Sequence, residues 1–427
     1  MDYGSRSLSQ FLRRLPRRRP RQCVWFPETG RRSPATRPSP RVHSVSMPSR
    51  PMPRPGLGGV MTSQPLYEFD EKVRARLIRL ELENRYTARV TGPCRGAFGE
   101  IYRIGKGPLR GQRELVAKCP RISRFGSREK AAAGLEEVLH EAEKTYRLLA
   151  SPWVNRFIDI HLIYGWPFLI SRCCDGTLGD LIANPLVWSE VDQLASLIQI
   201  VRALRLAALR GISAHQDLKP QNVFFDDIHR KYPAAVGVSG LHFQMRVGDF
   251  GNADAFQELG RNSGSRPYMA PEQFQSDTLN PSVGRAFDIF ALGVIGHECF
   301  CDGYHPIGTV TSDVWPWTDA VPRKWDRARV WRKWAENPKK DLSMLGEHCP
   351  EPLFSALSKA LSADPERRPS LEELEDCLWK TLHDVHDKAA SGIRSQIENQ
   401  ESHFTDDDWP FFKDRLSELR TFYARRG

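Results

Sequence analysis

The 427-residue sequence has no apolar run long enough to cross a bilayer: its longest, "IFALGVIG" at Ile289–Gly296, is far short of the roughly 20 residues a spanning helix needs. Its nine cysteines include no CxxC pair and are odd in number, which excludes a disulfide framework and a structural zinc module as readings. A reducing, cytoplasmic setting is therefore expected. Internal repeats are lacking as well. Acidic residues are nearly missing from the first 60 positions, where thirteen Arg stand against one Asp and one Glu. That stretch carries a formal +11 of the chain's +10, so the remaining residues sum to −1. The body of the protein is close to neutral, and its overall basicity is no argument for nucleic-acid binding.

What is present falls into three parts. Residues 1–66 are rich in Pro, Arg and Ser, as in "RRLPRRRP" and "RRSPATRPSP". Such a composition cannot offset the entropy of ordering and predicts a disordered segment. It fits a solvated tail, a segment binding polyanions weakly, or a transit-like leader, with Met61 a second candidate start. From Tyr86 the chain turns to short β-like runs, "YTARVTG", "GEIYRIG" and "ELVAKCP", then a helical stretch to Leu149, then "FIDIHLIYG" and "PFLISRC". Beyond Asp180 the text is mostly helical, with Leu194, Leu197, Ile198, Val201, Leu204 and Ala208 at helix spacing. Residues 383–427 read as a helical tail, with an acidic "TDDDWP" and a stripe of Phe412, Leu416, Leu419 and Tyr423. The expected architecture is α+β and two-lobed: a small β-rich lobe at about 86–172 and a larger helical lobe at about 177–382. Clefts between such lobes are natural ligand sites.

Two motifs carry the chemistry. "HQDLKPQN" at His215–Asn222 places a carboxylate, an ammonium and an amide within six residues, and "VGDFGNAD" supplies a second carboxylate at Asp249 after a β-like run. Asp217, Lys219, Asn222 and Asp249 together suit metal-assisted phosphoryl transfer, because magnesium prefers oxygen ligands and phosphate bridges. The segment between Asn222 and Asp249 contains "IHRKYPAAVGVSG", which reads as an insertion over about 226–246.

Taken in order along the chain, these motifs resemble the eukaryotic-like Ser/Thr protein kinases, in flavour those of bacteria, from roughly Tyr86 to Leu382. The resemblance implies ATP and Mg2+ as cofactors and protein Ser/Thr hydroxyls as substrates. It implies that Asp217 takes or orients the hydroxyl proton and that Lys219 neutralises charge on the moving phosphoryl. Asn222 and Asp249 would be the metal ligands. It places Lys118 of "VAK" on the α- and β-phosphates, although Ala117 directly precedes the lysine where Ala-x-Lys is usual. Glu137, Glu141 and Glu143 could each hold that lysine, and spacing to "ASPWV" favours Glu141.

In "TGPCRGAFGEIY", Gly96 and Gly99 fit the later glycines of a phosphate-covering loop, Phe98 its tip and Ile101 the residue on the adenine. Cys94 stands where the first glycine is expected. "GSRPYMAPE" resembles the segment that receives the substrate chain, with Ser265 in place of the Thr near the catalytic Asp. Glu272 paired with Arg368, and Asp288 bracing the catalytic loop, would be structural. Gln216 precedes Asp217 where an Arg would bind an activation-loop phosphate, so the expected enzyme is active without that phosphate. The alternative is a pseudokinase scaffold, for which Cys94, "VAK" and Gln216 are the supporting departures.

Overall fold

The computed structural model describes residues 66–402 apart from 96–98, 108–113, 121–127, 149–150, 234–239, 260–262, 275–280, 315–326 and 338–341, together with Ser417 and Thr421. The Arg-rich segment before Leu66, the glycine-loop residues Gly96 and Phe98, and the stripe of Phe412, Leu416, Leu419 and Tyr423 lie outside the described residues.

After a 3-10 turn at Leu66–Glu68 comes a helix that the sequence reading left unassigned, α1 at Glu71–Tyr86. Asp70 caps it, accepting from the amides of Lys72 and Val73 at 2.9 and 3.0 Å, and Thr87 ends it at φ 49°. Its buried positions Arg74, Ile78 and Leu82 recur every four residues, one stripe of a helix. The strands β1 (Val90–Arg95), β2 (Gly99–Ile104), β3 (Leu115–Pro120), β4 (Phe157–Ile163) and β5 (Trp166–Arg172) form an antiparallel sheet in the order β1-β2-β3-β5-β4. Helix α2, Arg128–Tyr146, lies between β3 and β4 in the chain.

Alternation along the strands decides which side of the sheet each residue serves. Tyr102, Ile104, Ala117, Cys119, Phe168 and Ile170 pack with Ile78 and Leu82 of α1. Leu169 and Ile160 pack instead with Val138, Leu139, Ala142 and Tyr146 of α2. The sheet is thus held between two helices, and full burial of a residue such as Ile78 or Leu82 contributes roughly 1.5–3 kcal/mol.

The larger lobe begins with β6 (Gly176–Thr177), α3 (Leu178–Ile182) and α4 (Glu190–Leu209). Ser189 and Asp192 form a capping box at the start of α4, and Leu194, Leu197, Ile198, Val201 and Leu204 are buried as their spacing predicts. Strand β7 (Val223–Asp227) pairs with β6 on one side and with β8 (Phe243–Val247) on the other in a second, three-stranded sheet. The insertion sits between them and opens as a one-turn helix, α5 (Ile228–Lys231), capped by Asp227. Then follow α6 (Ala255–Leu259), α7 (Pro281–Phe300), the short pair β9 (Tyr304–His305) and β10 (Thr309–Val310), and α8 (Thr311–Val314). Helices α9 (Arg327–Glu336), α10 (Ser343–His348), α11 (Glu351–Ala360) and α12 (Leu371–Ser402) complete the lobe. α12 is broken at His386 (φ −157°, ψ 77°), and both halves contribute to the core, through Leu374, Leu378 and Leu382 before the break and Ile393 and Ile397 after it.

The two lobes meet where the α2–β4 connection crosses β8. Val247 N–H donates to Trp153 O, and Asn155 N–H donates back to Val247 O, each at 2.8 Å. Among the described residues no helix is long and apolar enough to cross a membrane.

Candidate active site

β3 presents Val116 and Lys118 on the face opposite to Ala117 and Cys119, which are buried under α1. The unusual "VAK" spacing therefore has a simple physical meaning: two residues before the lysine, on its own face, stands Val116. Ile101 of β2 lies directly opposite Lys118, and Cys94 of β1 opposite Ile101, so the three form a row across the sheet. Ile101 is 38% exposed on that row, and Gly99 opens β2, where a Cβ would stand 2.5 Å from the Cys119 carbonyl oxygen.

Lys118 Nζ reaches Glu141 Oε1 at 2.7 Å and Asp249 Oδ1 at 2.8 Å. Of the three glutamates offered by the sequence, Glu137 is exposed and Glu143 pairs with Arg147, so only Glu141 faces the lysine. Burial acts to lower the Lys118 ammonium's pKa, but the two carboxylates outweigh it and hold the group protonated. Burial likewise acts to raise Asp249, and Lys118 overrides it, so this carboxyl stays below its ordinary value. Burial and the neighbouring Asp249 push Glu141 up against the pull of Lys118. One ammonium between two carboxylates leaves this wall with an excess of negative charge, which suits a cation.

The facing wall is the loop His215–Asn222. Asp217 Oδ2 accepts from Lys219 Nζ at 2.7 Å and from Asn222 Nδ2 at 3.3 Å, while the buried Asp217 Oδ1 has no hydrogen-bond partner among the described residues. A buried carboxylate oxygen left open beside an ammonium is poised to accept a hydrogen bond from an incoming hydroxyl. Lys219 Nζ also donates to Ser265 Oγ at 2.8 Å, tying the loop to the "GSRPYMAPE" segment. Asn222 Nδ2 donates to the Asp217 carbonyl at 2.8 Å, which commits that prong of the amide to the loop and leaves Oδ1 as the side chain's oxygen donor.

The loop is held from beneath. Asp288 of α7 accepts from the amides of His215 and Gln216 at 2.7 and 3.1 Å, and burial pushes its carboxyl up to about 7 in spite of those bonds. Gln216 and Asp249 both adopt left-handed backbone, at φ 64° and 66°, conformations that cost energy in non-glycine residues and cluster at functional sites. His215 Nε2 pairs with the Gly248 carbonyl at 3.0 Å and its ring packs on Phe250, 4.7 Å between centroids. The loop and the Asp249 turn are thereby one unit.

The segment after Asp249 is fastened at several points, of which sequence reasoning named the Glu272–Arg368 pair and missed the others. Asp254 accepts from the amides of Ser213 and Ala214, at 3.1 and 2.9 Å. Gln216 Oε1 accepts from Phe256 N–H at 2.9 Å. Gln273 Nε2 bridges the carbonyls of Gln216 and Ser263, at 3.2 and 3.0 Å. Gly264 (φ 148°) passes so close that a Cβ would stand 2.6 Å from the Gln216 oxygen. Tyr268 donates its hydroxyl to Glu298, whose carboxyl burial pushes up to about 7, and His305 Nε2 donates to the Pro267 carbonyl at 2.8 Å. Arg368 grips Glu272 with two bonds, at 2.5 and 2.8 Å, with its guanidinium 5.1 Å from the Phe290 ring centroid. Apart from the Glu272–Arg368 pair, these contacts join polar residues in distant segments that gave no local signal for them.

A β-rich lobe carrying a buried lysine–glutamate pair, above a helical lobe carrying an Asp-x-Lys-x-x-Asn loop and a second aspartate, defines the two-lobed kinase class. The comparisons agree: residues 94–379 match the family model described as "Protein kinase domain", and the chain belongs to the protein kinase family. It is 26% identical over 255 residues to striated muscle preferentially expressed protein kinase of Danio rerio, covering 57% of this chain and 7% of that protein. Similarity to CDPK-related kinase 7 of Arabidopsis thaliana is 27% over 203 residues, 46% of this chain and 31% of the relative. To MAP kinase-interacting serine/threonine-protein kinase 2 of Xenopus laevis it is 25% over 294 residues, 66% of this chain and 59% of the relative. The chain thus spans under two thirds of the length of these relatives.

Proposed function

We propose that this chain is an active serine/threonine protein kinase, transferring the γ-phosphoryl of ATP to protein hydroxyls with Mg2+. The observation that carries this reading is the open, buried Asp217 Oδ1 beside Lys219, set opposite an assembled Lys118–Glu141–Asp249 cluster. In this mechanism the substrate hydroxyl donates to Asp217 Oδ1, and its oxygen attacks the γ-phosphorus as the proton passes to the carboxylate and the bond from that phosphorus to the β,γ-bridging oxygen breaks, releasing ADP. Lys219 steadies Asp217 and the developing charge, and its bond to Ser265 fixes the wall against which the substrate chain lies. Lys118, kept charged by its two carboxylates, binds the nucleotide phosphates, and Ile101 with Val116 supplies an apolar surface above. Asn222 and Asp249 are hard oxygen donors on adjoining turns, a pair that would hold magnesium. When bound, the metal neutralises phosphate charge.

The Ser/Thr assignment is supported by Lys219 between Asp217 and Ser265 and by the name of a relative, MAP kinase-interacting serine/threonine-protein kinase 2. Independence from activation-segment phosphorylation is supported by Gln216, whose side-chain oxygen and carbonyl are used by Phe256 N–H and Gln273. A neutral amide performs there by hydrogen bonding what an arginine would do by holding a phosphate.

The test is phosphate transfer from labelled ATP to a generic basic protein, before and after phosphatase treatment, for wild type and Asp217→Asn. Transfer that survives phosphatase and disappears in Asp217→Asn supports both readings. Binding of ATP without transfer by a folded wild type establishes the scaffold alternative instead, and loss of transfer on phosphatase treatment refutes phosphorylation independence.

A further inference from the structure

The short helix α6 carries an acid that the catalytic reading does not use. Glu258 Oε2 lies 2.7 Å from Lys144 Nζ and 2.6 Å from His140 Nε2, both on α2, the helix that also presents Glu141 to Lys118. The side chain of Lys144 is only 4% exposed, and its ammonium also donates to the Ala253 carbonyl. His140, Glu141 and Lys144 are spaced i, i+1 and i+4, so the carboxylate grips α2 on either side of the residue that holds the catalytic lysine. From its other side α6 is bound to the catalytic loop, by Phe256 N–H to Gln216 Oε1, by Gln257 Nε2 to Ser213 Oγ at 3.1 Å, and by Asp254 to two loop amides. The helix α6 is thus a bracket with α2 on one arm and the catalytic loop on the other.

A nearly buried ammonium is tolerated only where an anion and hydrogen-bond acceptors surround it. Of the acids near Lys144, Asp254 is occupied by the amides of Ser213 and Ala214, and Glu258 is the carboxylate in contact. Burial acts to raise the Glu258 carboxyl, but Lys144 and His140 hold it below its ordinary value, so it is ionised at neutral pH. We infer that Glu258 is a positioning residue that supplies, as a permanent carboxylate, the anion that keeps α2 and its Glu141 docked on the activation segment. This rests on the reading of the chain as a catalytic kinase, and it names the group that makes an added phosphate unnecessary. The carboxylate brings one negative charge and needs no modifying enzyme, so the docked arrangement is the resting one.

The experiment uses the full chain treated with phosphatase, as wild type, Glu258→Gln, Lys144→Met, the double variant, and Glu143→Gln as an α2 control away from this contact. Two quantities are read: kcat and ATP KM for phosphate transfer, and amide hydrogen exchange over residues 138–146. Glu258→Gln is expected to lower kcat about tenfold, the equivalent of ~1.4 kcal/mol, to raise ATP KM, and to speed exchange in α2. Glu143→Gln leaves all three unchanged. The double variant is expected to lose no more than Lys144→Met alone, as groups acting through one contact do. A Glu258→Gln protein with wild-type kcat and wild-type exchange overturns the inference, as does full additivity of the two single losses. Should the wild type bind ATP yet transfer nothing, the catalytic reading fails, and faster α2 exchange in Glu258→Gln still decides whether the carboxylate docks the helix.

Discussion

Trp153, in the turn between α2 and β4, donates its indole N–H to Glu401 Oε1 at 2.8 Å, near the end of the last described helix. The other oxygen of Glu401 takes Arg202 of α4 at 2.6 Å, and Gln400 receives Gln244 of β8 at 3.1 Å. The same turn carries the backbone bonds to β8 that join the lobes, so the end of α12 is fixed at the junction behind the catalytic cleft. Chains ended after Leu382 and after Ser402 therefore differ in kind. The first is expected to be poorly soluble or to melt far below the second, because it loses Ile393 and Ile397, both fully buried, from the core. Equal melting temperatures for the two would refute this. Glu401→Ala in the full chain is expected to cost ~1–2 kcal/mol, reduced toward the lower figure by the partial exposure of the carboxylate.

Glu141 and Glu137 are both acids on one helix, yet only Glu141 reaches Lys118. Glu141→Gln is expected to reduce transfer by roughly tenfold or more, whereas Glu137→Gln stays within twofold of wild type. Steady-state kinetics at saturating protein substrate, with ATP varied, separates them. Equal losses would mean that the resting pair is not the working one.

Replacement of Lys118 by Met leaves Glu141 and Asp249, which it now separates, as neighbouring carboxylates with no cation. Loss of one partner from a buried ionic cluster costs ~3–5 kcal/mol, and the roughly one-fifth exposure of these groups argues for the lower end. The expected result is a lower melting temperature together with loss of nucleotide binding, the deficit in stability shrinking as pH falls and one carboxyl takes up a proton. A melting temperature unaffected by the substitution would show the cluster to be energetically idle.

His305 sits in the cage of Trp331 and Trp334, donating Nε2 to Pro267 and accepting Ile307 N–H at 3.0 Å on Nδ1. Burial lowers its pKa from 6.5 to about 3, so the folded protein holds the neutral imidazole. The unfolded chain takes up a proton as pH falls through about 6.5 and the folded one does not, so stability is lost progressively from there down to about 3, at up to ~1.4 kcal/mol per pH unit. Glu298 and Asp288, with raised pKa values, act in the opposite sense, which makes the comparison with a variant the informative one. His305→Gln is expected to be less stable at pH 7.5 and to lose less further stability between pH 7 and 5 than wild type. Parallel pH profiles for the two proteins would remove His305 as the source.

The residues proposed to transfer phosphate were legible in the sequence because they lie close together along the chain: Asp217, Lys219 and Asn222 share one loop, and Asp249 follows the second of the two strands after it. The strand alternation of β3 was legible too, once Val116 is counted with Lys118 rather than Ala117. A spacing motif, however, says nothing about the reverse side of a sheet. α1 intersperses its apolar residues with charge and leaves Val73 and Leu80 exposed, and the packing of Ile78 and Leu82 on Tyr102 and Phe168 gives it a place in the fold.

Sequence alone determined the lobes, the residues that line the cleft and the absence of an arginine before Asp217, which follow from local patterns whose spacing is set by strand and turn geometry. Tertiary structure decided what holds those residues in register. Which of three glutamates meets Lys118, what Gln216 does in place of an arginine, and where Glu258 and Glu401 attach depend on contacts between distant segments. Such contacts arise from the packing of whole elements, in which a single polar residue leaves no periodic trace along the chain.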